Sequence, residues 1–228
     1  DIAGIGIGVH GAVRDDGTVN KCVNLGWDVV NVPNKLSELL IFPKEKIKAG
    51  NDANVAALGE YWKGSGKEYS SIMMVTIGTG VGGGLILDGK PINGFNGAAA
   101  EIGHMPLVDG LDFACNCGKT GCAETYLSGN ALLKEGRKEL PSLKDTEELF
   151  ALYRDGNEPA KKVIENFGLY LRRLLTEIRT ILSPELIILG GGVMKSEDIV
   201  RSLLCGADEG ITFAKLGNLS GAYGAANL

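Results

Sequence analysis

The chain has 228 residues, 44% of them hydrophobic, enough for one large domain or two small ones with cores of their own. Its 28 acidic and 23 basic residues leave a net charge of −5 and no basic run, which argues against a nucleic-acid partner for this segment. No apolar stretch approaches the ~20 residues of a membrane-crossing helix, and the five cysteines, three of them crowded at Cys115, Cys117 and Cys122, fit a reducing, cytoplasmic setting better than a disulfide framework.

Residues Ile2–Val9 place Ile5, Ile7 and Val9 on one face and glycines on the other, which predicts a strand packed closely against another backbone. "RDDGTV" follows as a turn signal between strands. Helices are expected over Asn31–Leu40 and Asn51–Trp62, the second capped by Asn51 or Asp52. Ile72–Ile77 and Leu85–Leu87 read as strands around a turn that holds Gly78, Gly80, Gly82, Gly83 and Gly84. Val163, Phe167, Leu171, Leu174, Leu175, Ile178 and Leu182 recur at helical spacing and predict a helix over Ala160–Leu182. After a Ser-Pro break comes a short buried strand at Ile187–Leu189 and a triple glycine, then a helix capped by Ser196 and running through Leu204. "GAYGAAN" near the end reads as a helix of small residues. Strands alternating with helices indicate an α/β protein.

Two segments match G-x-G-x-x-G, at Gly6–Gly8–Gly11 and Gly78–Gly80–Gly83. A dinucleotide site needs that pattern to open a helix, whereas both lead into a second strand, so that function is disfavoured. No Gly-Lys-Ser/Thr follows, which removes the Walker loop as well. "TIGTGVGGG" is either an ordinary glycine hairpin or a nest of backbone N–H groups aimed at an anion, with Thr76 and Thr79 adding hydroxyls. "LGGGV" either ends a strand or lets a nucleobase or ribose approach the backbone.

The run "EIGHMPLVDGLDFACNCGKTGCAE" holds His104, Cys115, Cys117 and Cys122. One nitrogen and three sulfurs make a closed tetrahedral zinc set with no position for water, which is structural and not catalytic. Reduced thiols around a core histidine are the alternative, and four donors in so short a run favour zinc. The C-x-x-C at a helix start that a thioredoxin-like centre requires is missing.

"NDANVAALGE", "TIGTGVGGGLILDGK", "EIGHM", "CNCGKTGCAE" and "LGGGV" occur in one order across essentially the whole chain. Together they resemble the ROK family, bacterial sugar kinases and sugar-responsive repressors that include ATP-dependent glucokinases. The resemblance implies an actin-like (ribonuclease H-like) ATPase fold of two α/β domains around a cleft. A small domain would comprise 1–70 plus about 217–228, and a large one 71–216 with a zinc knuckle at 104–122. It implies phosphorylation of a hexose, glucose first among them, by ATP with Mg2+. Asp52 matches the general base, and Asn51, Glu101, His104 and Glu124 match the sugar ligands. Gly8 and Gly11 match the loop where sugar nears the backbone. Thr79, Gly80 and Gly82 match the phosphate loop, and Gly190, Gly191 and Gly192 the adenosine side. A homodimer is a further expectation. A sugar-sensing repressor, or a kinase for an N-acetylhexosamine, fructose or allose, are the alternatives.

The chemistry suits these residue types. A hydroxyl attacking a phosphoryl group needs a carboxylate to take its proton late in the reaction, and a helix N-terminus favours the ionised form of that carboxylate. Glu101 and Glu124 can each accept from vicinal hydroxyls. His104 lies three residues from Glu101 and Cys122 two from Glu124, so one ion would fix both carboxylates, with the second ring nitrogen of His104 left for sugar. The sequence departs from the family in four places. It has no D-x-G-G-T strand, which is expected upstream of Asp1. It looks short around Cys205–Gly206. His10 stands where proline is usual, and Ala100 where glycine is usual.

Overall fold

The computed structural model describes residues 2–20, 22, 25–108 and 113–228; Asp1 and the 109–112 part of the cysteine-rich run lie outside the described residues. The glycine-faced strand is β1 (Ile5–Val9), three residues shorter at its start than the sequence reading. It runs parallel to β4 (Ile47–Asn51), in register from Ile5↔Ile47 to Val9↔Asn51. A Cβ on Gly6 would overlap the Ala225 carbonyl, so the glycine face admits the last helix, α8 (Ser220–Ala225), at backbone contact. The turn after β1 brings Val13 into an antiparallel bridge with Val19, and β2 (Thr18–Val19) pairs with β3 (Val30–Asn31). Helix α1 (Val32–Leu40) starts one residue later than expected because Asn31 is its cap, its side chain accepting the Asn34 N–H at 2.9 Å.

The third and largest sheet has five strands in the order β7-β6-β5-β8-β9. These are β5 (Ile72–Ile77), β6 (Val81–Leu87), β7 (Lys90–Pro91), β8 (Leu186–Gly190) and β9 (Ile211–Phe213). β5, β8 and β9 are parallel, and β6 is antiparallel to β5. Alternation along β5 serves two cores at once. Met73, Val75 and Ile77 join Phe167, Leu171 and Leu174 of the long helix α6 (Glu158–Leu182) on one face. Ile72 and Met74 join Ala57 and Leu58 of α2 (Asp52–Lys63) on the other. α2 therefore lies between the β1–β4 pair and the five-stranded sheet, its apolar face on the latter.

That packing corrects the glycine run. β6 begins at Val81, so only 78–80 form the turn, and Gly82, Gly83 and Gly84 lie inside a strand. A Cβ on Gly84 would sit 2.5 Å from the Ala53 carbonyl and 2.6 Å from the Ala57 Cβ. Glycine is needed there because α2 rests directly on the strand, which single-sequence composition reads as a turn.

Three helices between the cysteine run and α6 were not expected: α3 (Glu124–Leu127), α4 (Gly129–Gly136) and α5 (Thr146–Arg154). They bury Leu127, Leu132, Leu149 and Phe150 in the same core as α6. α7 (Glu197–Leu203) follows β8, and Ser196 precedes it without a side-chain capping bond. α8 crosses α2 where Gly59 and Gly224 let the two backbones touch. Glu60, beside that crossing, has no exposed surface, and its carboxylate accepts from Ser65, Lys215, Leu216 and Ser220. Among the described residues no helix is long and apolar enough to cross a membrane.

Candidate active site and metal centre

Parallel pairing of β1 and β4 brings two carboxyl ends together. Asn51 ends β4 and caps α2: its Oδ1 accepts the N–H groups of Ala53 (2.9 Å) and Asn54 (3.1 Å), and its Nδ2 donates to the Gly11 carbonyl at 3.0 Å. Three of its four hydrogen-bonding positions are thus taken up by backbone, which makes Asn51 a frame for the site first. Gly11 follows the turn at φ 101°. Gly8, in β1, faces the backbone of Asp52, with 3.6 Å between the place of a Cβ and the Asp52 Cα. Asp52 is the first residue of α2. Its Oδ1 accepts the Ala53 N–H at 2.9 Å, while Oδ2 faces solvent, 3.6 Å from Nδ1 of His10.

Glu101 keeps an exposed face at the rim, yet burial of its carboxylate raises its pKa above the ordinary glutamate value. His104 opposes the rise, Asp52 adds to it, His10 opposes it and Glu124 adds to it, so these five groups share one electrostatic neighbourhood. Glu124 opens α3, and its Oε2 accepts the Val81 N–H at 3.0 Å. That bond fastens a carboxylate expected on sugar to the glycine turn expected on phosphate.

The glycines expected on the nucleotide side also come together. β5 and β8 are parallel neighbours, with Thr76↔Gly190 their last pair, so the 78–80 turn and Gly190–Gly192 leave the same edge of the sheet. Carboxyl ends of parallel strands are where open α/β sheets bind ligands. Within the turn, the Gly78 N–H donates to the Gly80 carbonyl (3.0 Å) and the Val81 N–H is held by Glu124, which leaves the Thr79 and Gly80 N–H groups for an anion. Gly82 is not in that turn; its Cα faces Ala53 of α2 and the Thr76 hydroxyl.

His104, Cys115, Cys117 and Cys122 converge, their donor atoms all within 4.8 Å of one another. Cys115 Sγ lies 3.5 Å from His104 Nδ1, and Cys117 Sγ 3.6 Å from Cys122 Sγ. With Zn–S bonds of about 2.3 Å and Zn–N of about 2.0–2.1 Å, tetrahedral edges come to roughly 3.5–3.8 Å. Both measured separations fit that set. Gly118 and Gly121, at φ 86° and 74°, turn the knuckle, and all five cysteines are free thiols. Burial pushes the Cys122 thiol up to about 12, with Cys117 and Cys115 adding to the rise, and burial raises Cys115 too. At Cys117 burial acts upward but is outweighed by the Lys119 backbone N–H and the neighbouring thiols, leaving it below the ordinary thiol value. Thiols so placed resist ionising together, and a divalent cation reverses that preference.

Some of the site has no mark in the sequence. A bridge between Pro106 and Cys122, with Ala123 N–H to Met105 carbonyl at 2.8 Å, ties the Glu101 segment to the Glu124 segment through backbone. Asn54 donates to Asn93 (3.1 Å), which donates to Asp15 (3.0 Å), beside a cavity of about 190 Å3 that Lys48 also lines. Asn93 sits in the loop that follows β7.

The family profile described as ROK family matches residues 1–228. The chain belongs to the ROK family. A glucokinase from Halalkalibacterium halodurans is 34% identical over 213 residues, covering 87% of this chain and 64% of its own length. An N-acetyl-D-glucosamine kinase from Shigella boydii is 39% identical over 166 residues, 69% of this chain and 55% of its own length. This chain thus spans less than two thirds of each of those relatives. The crystal structure of a ROK family glucokinase from Streptomyces griseus, in complex with glucose and AMPPNP, superposes with a TM-score of 0.84 at 29% identity, covering 100% of this chain and 81% of that one. The fold is the actin-like ATPase α/β fold of the ROK sugar kinases.

Proposed function

We propose that the full-length protein transfers the γ-phosphoryl group of ATP-Mg2+ to a hydroxyl of a hexose, with glucose the first candidate. The observation that carries this is the placement of Asp52. Its Oδ2 is open to solvent at a helix N-terminus, within the electrostatic neighbourhood of Glu101, His104 and Glu124, and Glu124 also holds the glycine turn. The sugar would lie on Asn51, Glu101, His104, Glu124 and the Gly8–Gly11 backbone. The phosphates would meet Thr79 and Gly80, and the adenosine Gly190–Gly192. As the sugar oxygen bonds to phosphorus, the bond to ADP breaks and the hydroxyl proton passes to Asp52 Oδ2. Little covalent chemistry is asked of the protein beyond positioning and that late proton transfer.

The second reading, an N-acetylglucosamine kinase, is favoured by the 39% identity to the Shigella boydii enzyme. An ATP-coupled assay over glucose, N-acetylglucosamine, N-acetylmannosamine, fructose and allose decides between them. The highest kcat/KM is expected on glucose, and a preference for N-acetylglucosamine would move the assignment. No turnover on any sugar, with sugar-dependent DNA binding, would overturn the kinase reading for the repressor one.

His104, Cys115, Cys117 and Cys122 fit a structural Zn2+, which would supply no chemistry to the transfer and would fix the segments that carry Glu101 and Glu124. One zinc per chain is expected by elemental analysis. Complete chelation is expected to weaken sugar binding, because the segments that carry Glu101 and Glu124 lose their common anchor. Calorimetry showing unchanged sugar affinity in the metal-free protein would break the link. Because ligands bind as thiolates, zinc uptake should release protons and weaken as pH falls.

A further inference from the structure

The two oxygens of Asp52 are not equivalent. Oδ1 is held by the Ala53 N–H at 2.9 Å, so Oδ2 is the oxygen left to receive a proton. Nδ1 of His10 stands 3.6 Å from it, just outside hydrogen-bond reach, with both side chains more than half exposed. The backbone sets this juxtaposition. β1 and β4 run parallel in the register Val9↔Asn51, so the residues that follow, His10 and Asp52, leave the ladder side by side. Both are anchored at once: Asn51 Nδ2 grips the Gly11 carbonyl at 3.0 Å, and Asn51 Oδ1 caps the helix that Asp52 begins.

We propose that His10 is a positioning residue for the base, its Nδ1–H closing onto Asp52 Oδ2 when sugar binds and holding the carboxylate plane toward the attacking hydroxyl. This rests on the kinase reading above. A carboxylate oxygen has two lone pairs, so Oδ2 can accept from the imidazole on one and receive the hydroxyl proton on the other. Fixed through both oxygens, the carboxylate loses rotation about its terminal bond, and a base pre-set in a near-attack geometry speeds the step without tightening ground-state binding. Hydrogen bonds of this kind are often long without substrate and tighten in the Michaelis complex. No proton moves to His10. The sugar O–H bond breaks, the O–P bond forms, ADP departs, and the proton rests on Asp52 while the imidazole stays a donor.

The test compares His10→Ala with His10→Asn in the full-length protein, because an asparagine amide can place an N–H near the position of Nδ1. His10→Ala is expected to lower kcat about tenfold with sugar KM within about twofold, the signature of an interaction made in the transition state. His10→Asn is expected to recover most of that loss. In an Asp52→Asn background, followed by single turnover at high enzyme concentration, His10→Ala should change the rate less than about twofold, since a residue acting only through Asp52 has nothing left to position. Unchanged kcat in His10→Ala overturns the role. So does an effect confined to KM, an equal loss in the Asp52→Asn background, or no recovery by asparagine. A wild-type protein that phosphorylates no hexose overturns the kinase reading and this role together, whereas an active wild type indifferent to His10 overturns only the role.

Discussion

Asp52→Asn is expected to lower kcat by about 10²–10⁴-fold, the usual contribution of a positioned general base, while sugar affinity stays within about threefold of wild type. The amide keeps the shape of the carboxylate. Its oxygen can still accept the Ala53 N–H, and the Asn51 cap is untouched, so the site should remain assembled. What is lost is the acceptor for the hydroxyl proton. Proton transfer comes late in a loose phosphoryl transfer, so the loss falls on kcat and not on binding. A small stability cost follows as well. A carboxylate in the first turn of α2 interacts with the helix dipole by about 0.3–1 kcal/mol, and the neutral amide gives up most of that. Isothermal titration with sugar and a coupled ATP assay on the same preparation separate the two effects. Turnover within about tenfold of wild type would remove Asp52 from the chemistry, and lost sugar binding would make it a substrate contact instead.

The fold was most legible where one periodicity answers one surface. α6 shows every third or fourth residue apolar, and Phe167, Leu171 and Leu174 are buried in the order the pattern predicts. The glycine face of β1 was legible for the same reason, since at Gly6 it meets the backbone of α8 directly. The glycines of β6 misled because the demand for Gly82 and Gly84 comes from α2, some thirty residues away in sequence, and that for Gly83 from the Ala100 carbonyl on the other face, and composition alone cannot tell a turn from a seat for packed backbone. α4 and α5 are eight and nine residues long, too short to establish a period. A capping pair did mark α5: the N-cap Asp145 accepts the Glu148 N–H at 2.8 Å, and Glu148 reaches back to the Lys144 N–H, one residue before the cap, at 2.7 Å. In the site, the four metal donors stand out because they crowd into one short run. The Glu124–Val81 bond and the Asn54–Asn93–Asp15 chain do not. They join segments 43, 39 and 78 residues apart, and only the fold brings those segments within reach.

Glu60→Gln should destabilise the protein by about 2–4 kcal/mol, given that each buried donor left without its acceptor costs about 1–3 kcal/mol. Glu60 has no exposed surface, and four donors fill its carboxylate. Oε2 accepts the N–H groups of Ser65 (2.9 Å) and Lys215 (3.1 Å), and Oε1 accepts the Leu216 N–H (2.8 Å) and the Ser220 hydroxyl (3.0 Å). Glutamine turns one of those oxygens into an NH2 that faces donors. The less costly orientation points it at Leu216 and Ser220, since a hydroxyl can rotate to accept. The one Ser220 proton can turn wholly to the Gly217 carbonyl, 2.7 Å away, while the hydroxyl oxygen accepts from the new NH2, but the Leu216 N–H stays opposed either way, and Ser65 and Lys215 lose a charged acceptor. For a chain of this size each kcal/mol moves the melting temperature by roughly 2–4 °C, which places the expected drop at roughly 5–15 °C. The damage should be local in origin. Glu60 holds the segment between β9 and α8, and α8 is what α2 and β1 pack against, so amide exchange should quicken first at Lys215 and Leu216. Asp52 sits at the other end of the same helix, two turns away, so kcat measured well below the new melting temperature should fall far less than in Asp52→Asn. An unchanged melting temperature would mean that the four bonds contribute nothing net, and that α8 is held by its packing on α2 and β1 instead.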